Sequence, residues 1–200
     1  MKMRRILILF TMLFAISTHA FAATAVVAGG CFWCMESDFD KLEGVTDVIS
    51  GFTGGTLQNP TYNGNHTGHY EAVEITYDSQ KLSYRQLLDY YWVHIDPFDA
   101  GGQFCDRGHS YKAAIFVTND EEKKISEESK LGVQAMFPEQ KIVTPILAAT
   151  TFWPIQGDES YHQNYYKDNP VRYKYYRWGC GRDQRVEEIW GNKAGHKMKK

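Results

Sequence analysis

The stretch TAVVAGGCFWCMESDFDKLEG, residues 24–44, combines a short apolar segment, a pair of glycines and an amphipathic segment. Its β-branched beginning favours a buried strand that ends in a tight turn. Phe32, Met35 and Phe39 then recur at three- and four-residue spacing, which predicts a helix that stops near Gly44. The two cysteines of this stretch therefore lie where a strand turns into a helix.

The rest of the chain continues this alternation of strand and helix patterns. Further strands are predicted at residues 45–55, 70–78, 111–119 and 141–150, and further helices at 83–95, at 120–137, near Ser160 and near Gln184. Two long loops rich in Gly and polar residues separate them, and loops of that length tend to be functional. The predicted fold is α+β, a mixed β-sheet with packed helices that forms a two-layer sandwich around a ferredoxin-like core.

Residues 1–22 have the pattern of a cleaved signal peptide, with a basic start, an apolar run and a small-x-small ending at Ala20-Phe21-Ala22. The apolar run is short for a bilayer span. We therefore expect a periplasmic or secreted protein whose residues 23–200 form a single catalytic domain with a frayed basic tail. Cleavage would remove three positive charges and no negative ones from a chain of formal charge −2. A more acidic mature chain argues against nucleic acid as a partner.

The position of Cys31 at a helix start predicts a reactive thiolate, because unpaired N–H groups and the helix dipole lower a cysteine pKa there. Cys34 lies one helical turn away, within reach of a disulfide. A zinc site would need two more ligands at similar spacing, whereas Cys105 and Cys180 are isolated from each other in the sequence.

Two other functions fit the same pair of cysteines. A thioredoxin-like oxidoreductase also carries C-x-x-C at a strand-to-helix turn, although Phe and Trp between its cysteines would be unusual. Alternatively, one cysteine is a nucleophile in an aromatic pocket whose walls are Phe32 and Trp33. Two core aromatics on a helix are the plain structural explanation for those rings.

At GGCFWCMES the sequence resembles the A-class peptide methionine sulfoxide reductases, whose fingerprint is G-C-F-W-x-x-E. The blocks SGFTGG, NPTY, TGHYEAVEITYD, GGQFCDRGHSYKAAIF and YHQNYYKDNP follow in the order of that family. The resemblance implies reduction of methionine-S-sulfoxide, free or in proteins, and therefore repair of oxidised proteins. The thioredoxin-like disulfide oxidoreductase is the alternative.

The resemblance also implies roles for individual residues. Cys31 would attack the sulfoxide sulfur and become a sulfenic acid. Glu71 would protonate the departing oxygen, since a carboxyl group partly buried among aromatics can keep its proton near neutral pH. Tyr62 and Tyr111 match residues that hydrogen-bond the sulfoxide oxygen. The plain alternative for Glu71 is a solvated strand residue, a role that Glu74 fills more readily.

Substrate binding is assigned in the same way. Phe32 and Trp33 would hold the S-methyl group, and Asp106 matches a residue that helps to hold the site and the substrate backbone. A turn-forming aspartate is the plain explanation for Asp106. His162 and Gln163 are expected to be scaffold or pocket lining.

Recycling is where the chain departs from the family pattern. Cys34 stands where many members carry glycine, and better-known members place their recycling cysteines in a mobile C-terminal tail. Cys180, flanked by glycines, resembles that solution by position, so we favour Cys180 over Cys34 as the resolving cysteine. Cys105 is expected to be a small packed residue.

The resemblance also implies how the cycle closes. A thioredoxin-like dithiol protein would return the enzyme to its reduced state. Thiol chemistry of this kind needs neither a metal nor an organic cofactor. We expect a monomer whose substrates are oxidised proteins, oxidised peptides and free methionine sulfoxide, with no nucleic-acid partner.

Overall fold

The computed structural model describes residues 21–197, so most of the predicted signal peptide lies outside the described residues. The strands are β1 (Ala22–Gly29), β2 (Val45–Thr53), β3 (Tyr70–Asp78), β4 (Gly102–Gln103), β5 (Asp106–Arg107), β6 (Ala113–Val117), β7 (Ile146–Ala148) and β8 (Trp153–Pro154). The α-helices are α1 (Phe32–Phe39), α2 (Tyr84–Trp92), α3 (Asp120–Met136), α4 (Tyr165–Asp168), α5 (Pro170–Gly179) and α6 (Arg182–Trp190). Short 3₁₀ helices lie at His109–Tyr111, Gly157–His162, Gly191–Lys193 and Gly195–Lys197.

Six strands form one sheet in the order β7-β6-β1-β3-β2-β8. All neighbours are antiparallel except β6 and β7, which are parallel, so the sheet is mixed. The inner order β6-β1-β3-β2, with α1 between β1 and β2 and α2 between β3 and β6, is the β-α-β-β-α-β arrangement of ferredoxin-like folds. The predicted α+β class is confirmed. No helix among the described residues is long and apolar enough to cross a bilayer.

The main core lies between the sheet and its helices. Phe32, Met35 and Phe39 of α1 are all fully buried, as their spacing predicts. The turn before α1 depends on Gly30, which has φ +87° and lies so close to Gln103 that an added Cβ would meet its Cβ at 2.7 Å. A side chain at this position would push away the loop that covers the site, so the turn requires glycine.

Three local predictions differ from the structure. Helix α5 was not predicted, because its apolar and aromatic residues lie on its exposed side as well as on its buried side, so they do not mark one core-facing side. The strand predicted at 141–150 is reduced to β7. The tail predicted to be frayed is anchored as far as residue 197: Ala194 is fully buried, and the Gly195 N–H donates to the Val93 carbonyl.

Candidate active site

Cys31 immediately precedes α1, and its carbonyl accepts the first hydrogen bonds of the helix, from the N–H groups of Cys34 and Met35. The Cys31 and Cys34 side chains are free thiols, and the two residues are only 6% and 2% exposed. The Cys31 thiol donates to the Cys34 sulfur, which lowers the pKa of Cys34 to about 7 even though burial opposes ionisation. The pair therefore loses one of its two thiol protons near pH 7, and the remaining proton lies between the two sulfurs.

The expected lowering of the Cys31 pKa is wrong. Burial, followed by the hydrogen bond to Cys34 and the charges of Cys34 and Glu71, raises the pKa of Cys31 well above its usual value. The dipole of an eight-residue helix is too small to outweigh desolvation beside two acidic groups. Cys34, not Cys31, is the more readily ionised thiol in the resting protein.

Glu71 lies on β3 opposite Phe52 of β2, and its side chain points into the core. Its Oε2 accepts a hydrogen bond of 3.1 Å from the N–H of Phe32, the residue next to Cys31. Burial raises the pKa of Glu71 to about 8, against the effect of that hydrogen bond. The carboxyl group is therefore protonated at neutral pH and lies beside the turn that carries Cys31, whereas Glu74 on the same strand is partly exposed.

Tyr62 and Tyr111 reach the same place from two different loops. The backbone N–H of Tyr62 is held by Glu159 at 2.7 Å, and its ring stacks on Phe32 with centroids 5.9 Å apart. Burial and then Glu71 raise the pKa of Tyr62 to about 12, and the same two causes raise the pKa of Tyr111. The Tyr111 hydroxyl also hydrogen-bonds the Glu71 carboxyl. Both phenols therefore keep their protons and remain hydrogen-bond donors beside Glu71.

Aromatic rings enclose the cysteine turn. Trp33 stacks on Tyr165 with centroids 3.9 Å apart, and its Nε1–H donates to His162 Nδ1 at 3.0 Å. The His162 ring also lies against Tyr62 and Phe32, at 4.0 and 5.5 Å between centroids. Because Nδ1 accepts from Trp33, the neutral ring carries its proton on the buried Nε2, for which the structure shows no hydrogen-bond partner.

Tyr176 on α5 is a site residue that the sequence analysis missed. Its hydroxyl donates to Asp106 Oδ2 at 2.6 Å. The Cys31 sulfur is an alternative acceptor for the same hydroxyl, which acts to lower the Cys31 pKa against the larger opposing effects. Asp106 lies on β5 in the loop that covers the turn, and burial raises its pKa. Predicting a helix at residues 170–179 would have placed Tyr176 one turn before Cys180 and so identified it. The many aromatic residues of this segment obscured the helical spacing.

Comparison with known proteins gives the family. The model of the family described as peptide methionine sulfoxide reductase matches residues 23–194. The chain belongs to this family. It is an oxidoreductase that reduces methionine sulfoxide, and the resemblance seen in the sequence is confirmed.

Relatives of this reductase match over most of their length. It is 50% identical to the peptide methionine sulfoxide reductase MsrA of Bacillus licheniformis, over 84% of this chain and 94% of that protein. It is 47% identical to MsrA 2 of Caulobacter vibrioides, over 94% of this chain and all of that protein. The solved structure of methionine sulfoxide reductase A from Corynebacterium diphtheriae superposes with a TM-score of 0.63 at 28% identity, over 77% of this chain and 78% of that one.

In this reductase Cys105 and Cys180 form a disulfide across 75 residues of sequence. The expectation that Cys105 is only a small packed residue is wrong, because the loop around β4 and β5 carries it to the C-terminal end of α5, where it is exposed. Asp106 completes the one group of three possible metal ligands found among residues 21–197. Both sulfurs of that group are already bonded to each other.

The reductase also places two arginines from its C-terminal helices beneath the cysteine turn. Asp38 of α1 lies between them, with Oδ1 2.8 Å from Arg177 Nη1 and Oδ2 3.7 Å from Arg182 Nε. Arg182 also donates to the Gly29 carbonyl at 3.0 Å. After the larger effect of the Cys31 hydrogen bond, these two positive charges help to lower the pKa of Cys34.

Proposed function

We propose that this reductase acts on the S epimer of methionine sulfoxide, free or in peptides, through the sulfur of Cys31. Cys31 passes its proton to the ionised Cys34, to which it is already hydrogen-bonded, and attacks the sulfoxide sulfur. The oxygen is protonated and transferred to Cys31 Sγ while the bond between methionine sulfur and oxygen breaks. The products are methionine and a sulfenic acid on Cys31.

The position of Glu71 carries this proposal. Sulfur attack alone would release a highly basic oxygen, so a proton donor must be at hand. Glu71 is buried, keeps its proton up to a pKa of about 8 and is hydrogen-bonded to the residue that follows Cys31. Tyr62 and Tyr111 are donors on the same side, where they can hold the oxygen as its charge develops.

The same arrangement supports selection of one epimer. The oxygen-binding side is formed by Glu71 and the two tyrosines, whereas Phe32 and Trp33 offer apolar contact to the S-methyl group. With the methyl, the oxygen and the rest of the substrate each directed to a different side, only one configuration at sulfur brings the sulfur within reach of Cys31. This accords with the use of one enzyme per sulfoxide epimer.

Cys34 resolves the sulfenic acid in this proposal, which revises the preference for Cys180. Cys34 is already hydrogen-bonded to Cys31 and is readily ionised, whereas Cys180 is bonded to Cys105. After the first step Cys34 is a thiol and Glu71 a carboxylate, so the Cys34 proton passes through Glu71 to the leaving oxygen. The Cys34 sulfur attacks the Cys31 sulfur, a Cys31–Cys34 disulfide forms, and the oxygen leaves as water.

Single-turnover experiments test both assignments. Cys31→Ser should release no methionine. Cys34→Ser should release one methionine per enzyme, more slowly because the proton acceptor of Cys31 is lost, and stop with Cys31 as a sulfenic acid, which a dimedone adduct on the Cys31 peptide would reveal. The unaltered protein, given substrate without reductant, should show a Cys31–Cys34 disulfide by peptide mass mapping.

Two results would contradict the assignments. Sustained turnover by Cys31→Ser would reject Cys31 as the nucleophile. If the protein is first fully reduced and freed of reductant, a Cys31–Cys180 disulfide after one turnover, with Cys34 and Cys105 left as thiols, would restore Cys180 as the resolving cysteine. Assays with the separate S and R epimers complete the test, since equal rates would reject the proposed selectivity.

The partners follow from this chemistry. The proposed cycle uses thiols, phenols and a carboxyl group of the chain itself, so we assign no metal or organic cofactor, and the catalytic unit is one copy of residues 23–200. The reductant is assigned by class as a thioredoxin-like dithiol protein. The yeast protein Mxr1, which shares the fold at 18% identity and a TM-score of 0.51, has been solved in complex with Trx2.

Export through a cleaved signal at residues 1–22 remains part of the proposal. The family match begins at residue 23, and an exposed disulfide suits an oxidising compartment. Cleavage after Ala22 would shorten β1 by one residue, since Ala22 pairs with Asp78. Mass measurement of the protein from a periplasmic extract should give an N-terminus at Ala23. An intact Met1 there would contradict cleavage, and recovery of the protein from the cytoplasmic fraction alone would contradict export.

A further inference from the structure

Helix α5 exposes an apolar face to solvent. Val171, Tyr175 and Trp178 are 81%, 74% and 77% exposed, and their four- and three-residue spacing aligns them along one side of the helix. The rings of Tyr175 and Trp178 lie 6.2 Å apart. We call these three residues the α5 stripe. Single exposed apolar residues are ordinary, but a contiguous patch of aromatic ones indicates a contact surface.

The opposite side of α5 belongs to the active site. Tyr173 is buried, Tyr176 hydrogen-bonds Asp106, and Arg177 pairs with Asp38. Burial of this inner face holds the helix in place. The outward stripe is therefore not needed to attach α5 to the protein.

The α5 stripe ends beside the disulfide. Cys180 is the C-cap residue that directly follows α5, two positions after Trp178, and it is half-buried. Cys105 is exposed, and its backbone N–H donates to the Cys180 sulfur at 3.2 Å. An accessible disulfide sulfur therefore lies next to an exposed aromatic surface.

The active-site cysteines are closed to a protein reductant. Cys31 and Cys34 lie under the aromatic rings and the loop that carries Asp106, and neither sulfur offers the surface that thiol-disulfide exchange between proteins requires. Cys105 does, so electrons from a protein dithiol have an accessible entry at this disulfide. An aromatic surface beside an exposed sulfur fits a partner protein whose reactive cysteine is surrounded by apolar surface residues.

We infer that the α5 stripe and Cys105 together form the docking site for the protein dithiol reductant. This inference rests on the proposed function. The reductant thiolate attacks Cys105 Sγ, a mixed disulfide forms, and Cys180 leaves as a thiolate. The second thiol of the reductant then attacks the mixed disulfide, so the reductant leaves oxidised and both Cys105 and Cys180 are reduced.

Cys180 is linked to the buried pair through two intervening side chains. Its Sγ is 3.9 Å from Asp106 Oδ2, which accepts from Tyr176, which in turn contacts Cys31. Glycines flank Cys180 on both sides, and an added Cβ at either would contact nothing within 4 Å, so the segment has room to move. The Cys180 thiolate attacks the Cys31–Cys34 disulfide, and Cys105 then displaces the active-site sulfur from the resulting bond. This restores two active-site thiols and the Cys105–Cys180 disulfide.

Steady-state kinetics with two reductants test the docking site. The double variant Tyr175→Ser/Trp178→Ala is assayed with thioredoxin, thioredoxin reductase and NADPH, and separately with dithiothreitol. We expect kcat/KM for thioredoxin to fall about tenfold or more, as for loss of aromatic anchors at an interface, and the dithiothreitol-supported rate to stay within about twofold of the unaltered enzyme. Leu131→Ser on α3 is the matched control, since Leu131 is 69% exposed and lies outside the stripe.

Trapping the mixed disulfide tests the point of attack without altering the stripe. Thioredoxin whose second active-site cysteine is replaced by serine is mixed with the unaltered reductase, and the linked peptides are identified by mass spectrometry. A bond to Cys105 is expected. A bond to Cys31, Cys34 or Cys180, or no linked species, would overturn the proposal.

The remaining outcomes also decide the question. An unchanged kcat/KM for thioredoxin in the stripe variant would overturn the docking site. A second result would also overturn it. If sedimentation velocity shows a dimer that Trp178→Ala dissociates, and the thioredoxin kinetics of that variant are unchanged, the stripe binds a second copy of the chain. Absence of sulfoxide reduction by the unaltered protein with dithiothreitol would instead reject the proposed function, which separates the two failures.

Discussion

Cys31, Cys34 and Glu71 have opposite protonation requirements in the proposed reaction: one of the two sulfurs must be ionised and the carboxyl group must be protonated. The cysteine pair loses one proton near pH 7, and Glu71 keeps its proton up to about pH 8. The reaction needs an ionised sulfur and a protonated carboxyl at the same time. The active form therefore appears as pH rises through the first pKa and disappears as pH rises through the second.

The pH profile of kcat/KM should be a narrow bell with limbs at about 7 and about 8. Glu71→Gln should remove the alkaline limb and lower the rate by about 10²–10⁴-fold, because the amide cannot supply the proton. Glu74→Gln, on the same strand but partly exposed, is the control and should leave both limbs in place. An alkaline limb that persists in Glu71→Gln would mean that another group is the acid.

At the scale of elements, the buried carboxylate of Asp38 joins α1 to α5 and α6 through ion pairs with Arg177 and Arg182. Burial opposes the ionisation of Asp38, but the charges of Arg177, His94 and Arg182 outweigh it and lower the pKa of Asp38 to about 2. Removing one member of a buried charge cluster leaves the others uncompensated. The same cluster lies under Cys34, so the contact that joins the helices also tunes the site.

Asp38→Asn should lower the free energy of unfolding by about 3–5 kcal/mol at pH 7, measured by urea denaturation. The folded pKa lies below the ordinary value of about 3.9, so the contribution of Asp38 is complete above that pH and is lost as pH falls towards 2. The difference between variant and unaltered protein should therefore be smaller at pH 3. Asp89→Asn, which breaks an exposed pair with Arg85, should cost less than about 1 kcal/mol, and an equal cost for both variants would contradict the role of Asp38.

Across the whole molecule, the Cys105–Cys180 disulfide joins the loop that covers the turn to the C-terminal helices. It closes a segment of 75 residues that contains β6, α3 and β7. Such a link stabilises the fold by restricting the unfolded chain. The bond therefore serves stability as well as the proposed entry of electrons.

Cys105→Ser/Cys180→Ser should unfold with a free energy about 4 kcal/mol lower than the oxidised protein, as the loop length indicates. Dithiothreitol should destabilise the unaltered protein by a similar amount and leave the double variant unchanged. Urea curves with and without reductant measure both effects. Coincident curves for all four samples would show that the disulfide does not stabilise the fold.

Local patterns sufficed for elements whose apolar residues keep a regular spacing. The spacing of Phe32, Met35 and Phe39 predicted α1, and the alternation of apolar residues predicted β3, although most residues of both elements are buried. Helix α5 was not predicted from the sequence, because its outer side carries the apolar stripe while polar side chains on its inner side contact the site. The apolar spacing therefore does not mark the side that faces the core. Asp106 and Tyr176 meet across 70 residues, a distance at which periodicity carries no information.

The sequence by itself determined the family and its reaction, since the motif around Cys31 and the blocks that contain Glu71, Tyr62 and Tyr111 follow the order of one family. It also supplied the residues to which the proposed mechanism assigns roles. Only the tertiary structure decided which thiol ionises first and which cysteines are bonded. The reason is physical: a pKa depends on desolvation and on charges brought close by folding, and a disulfide depends on which sulfurs meet. Cys105 and Cys180 are far apart along the chain and adjacent only in the folded molecule.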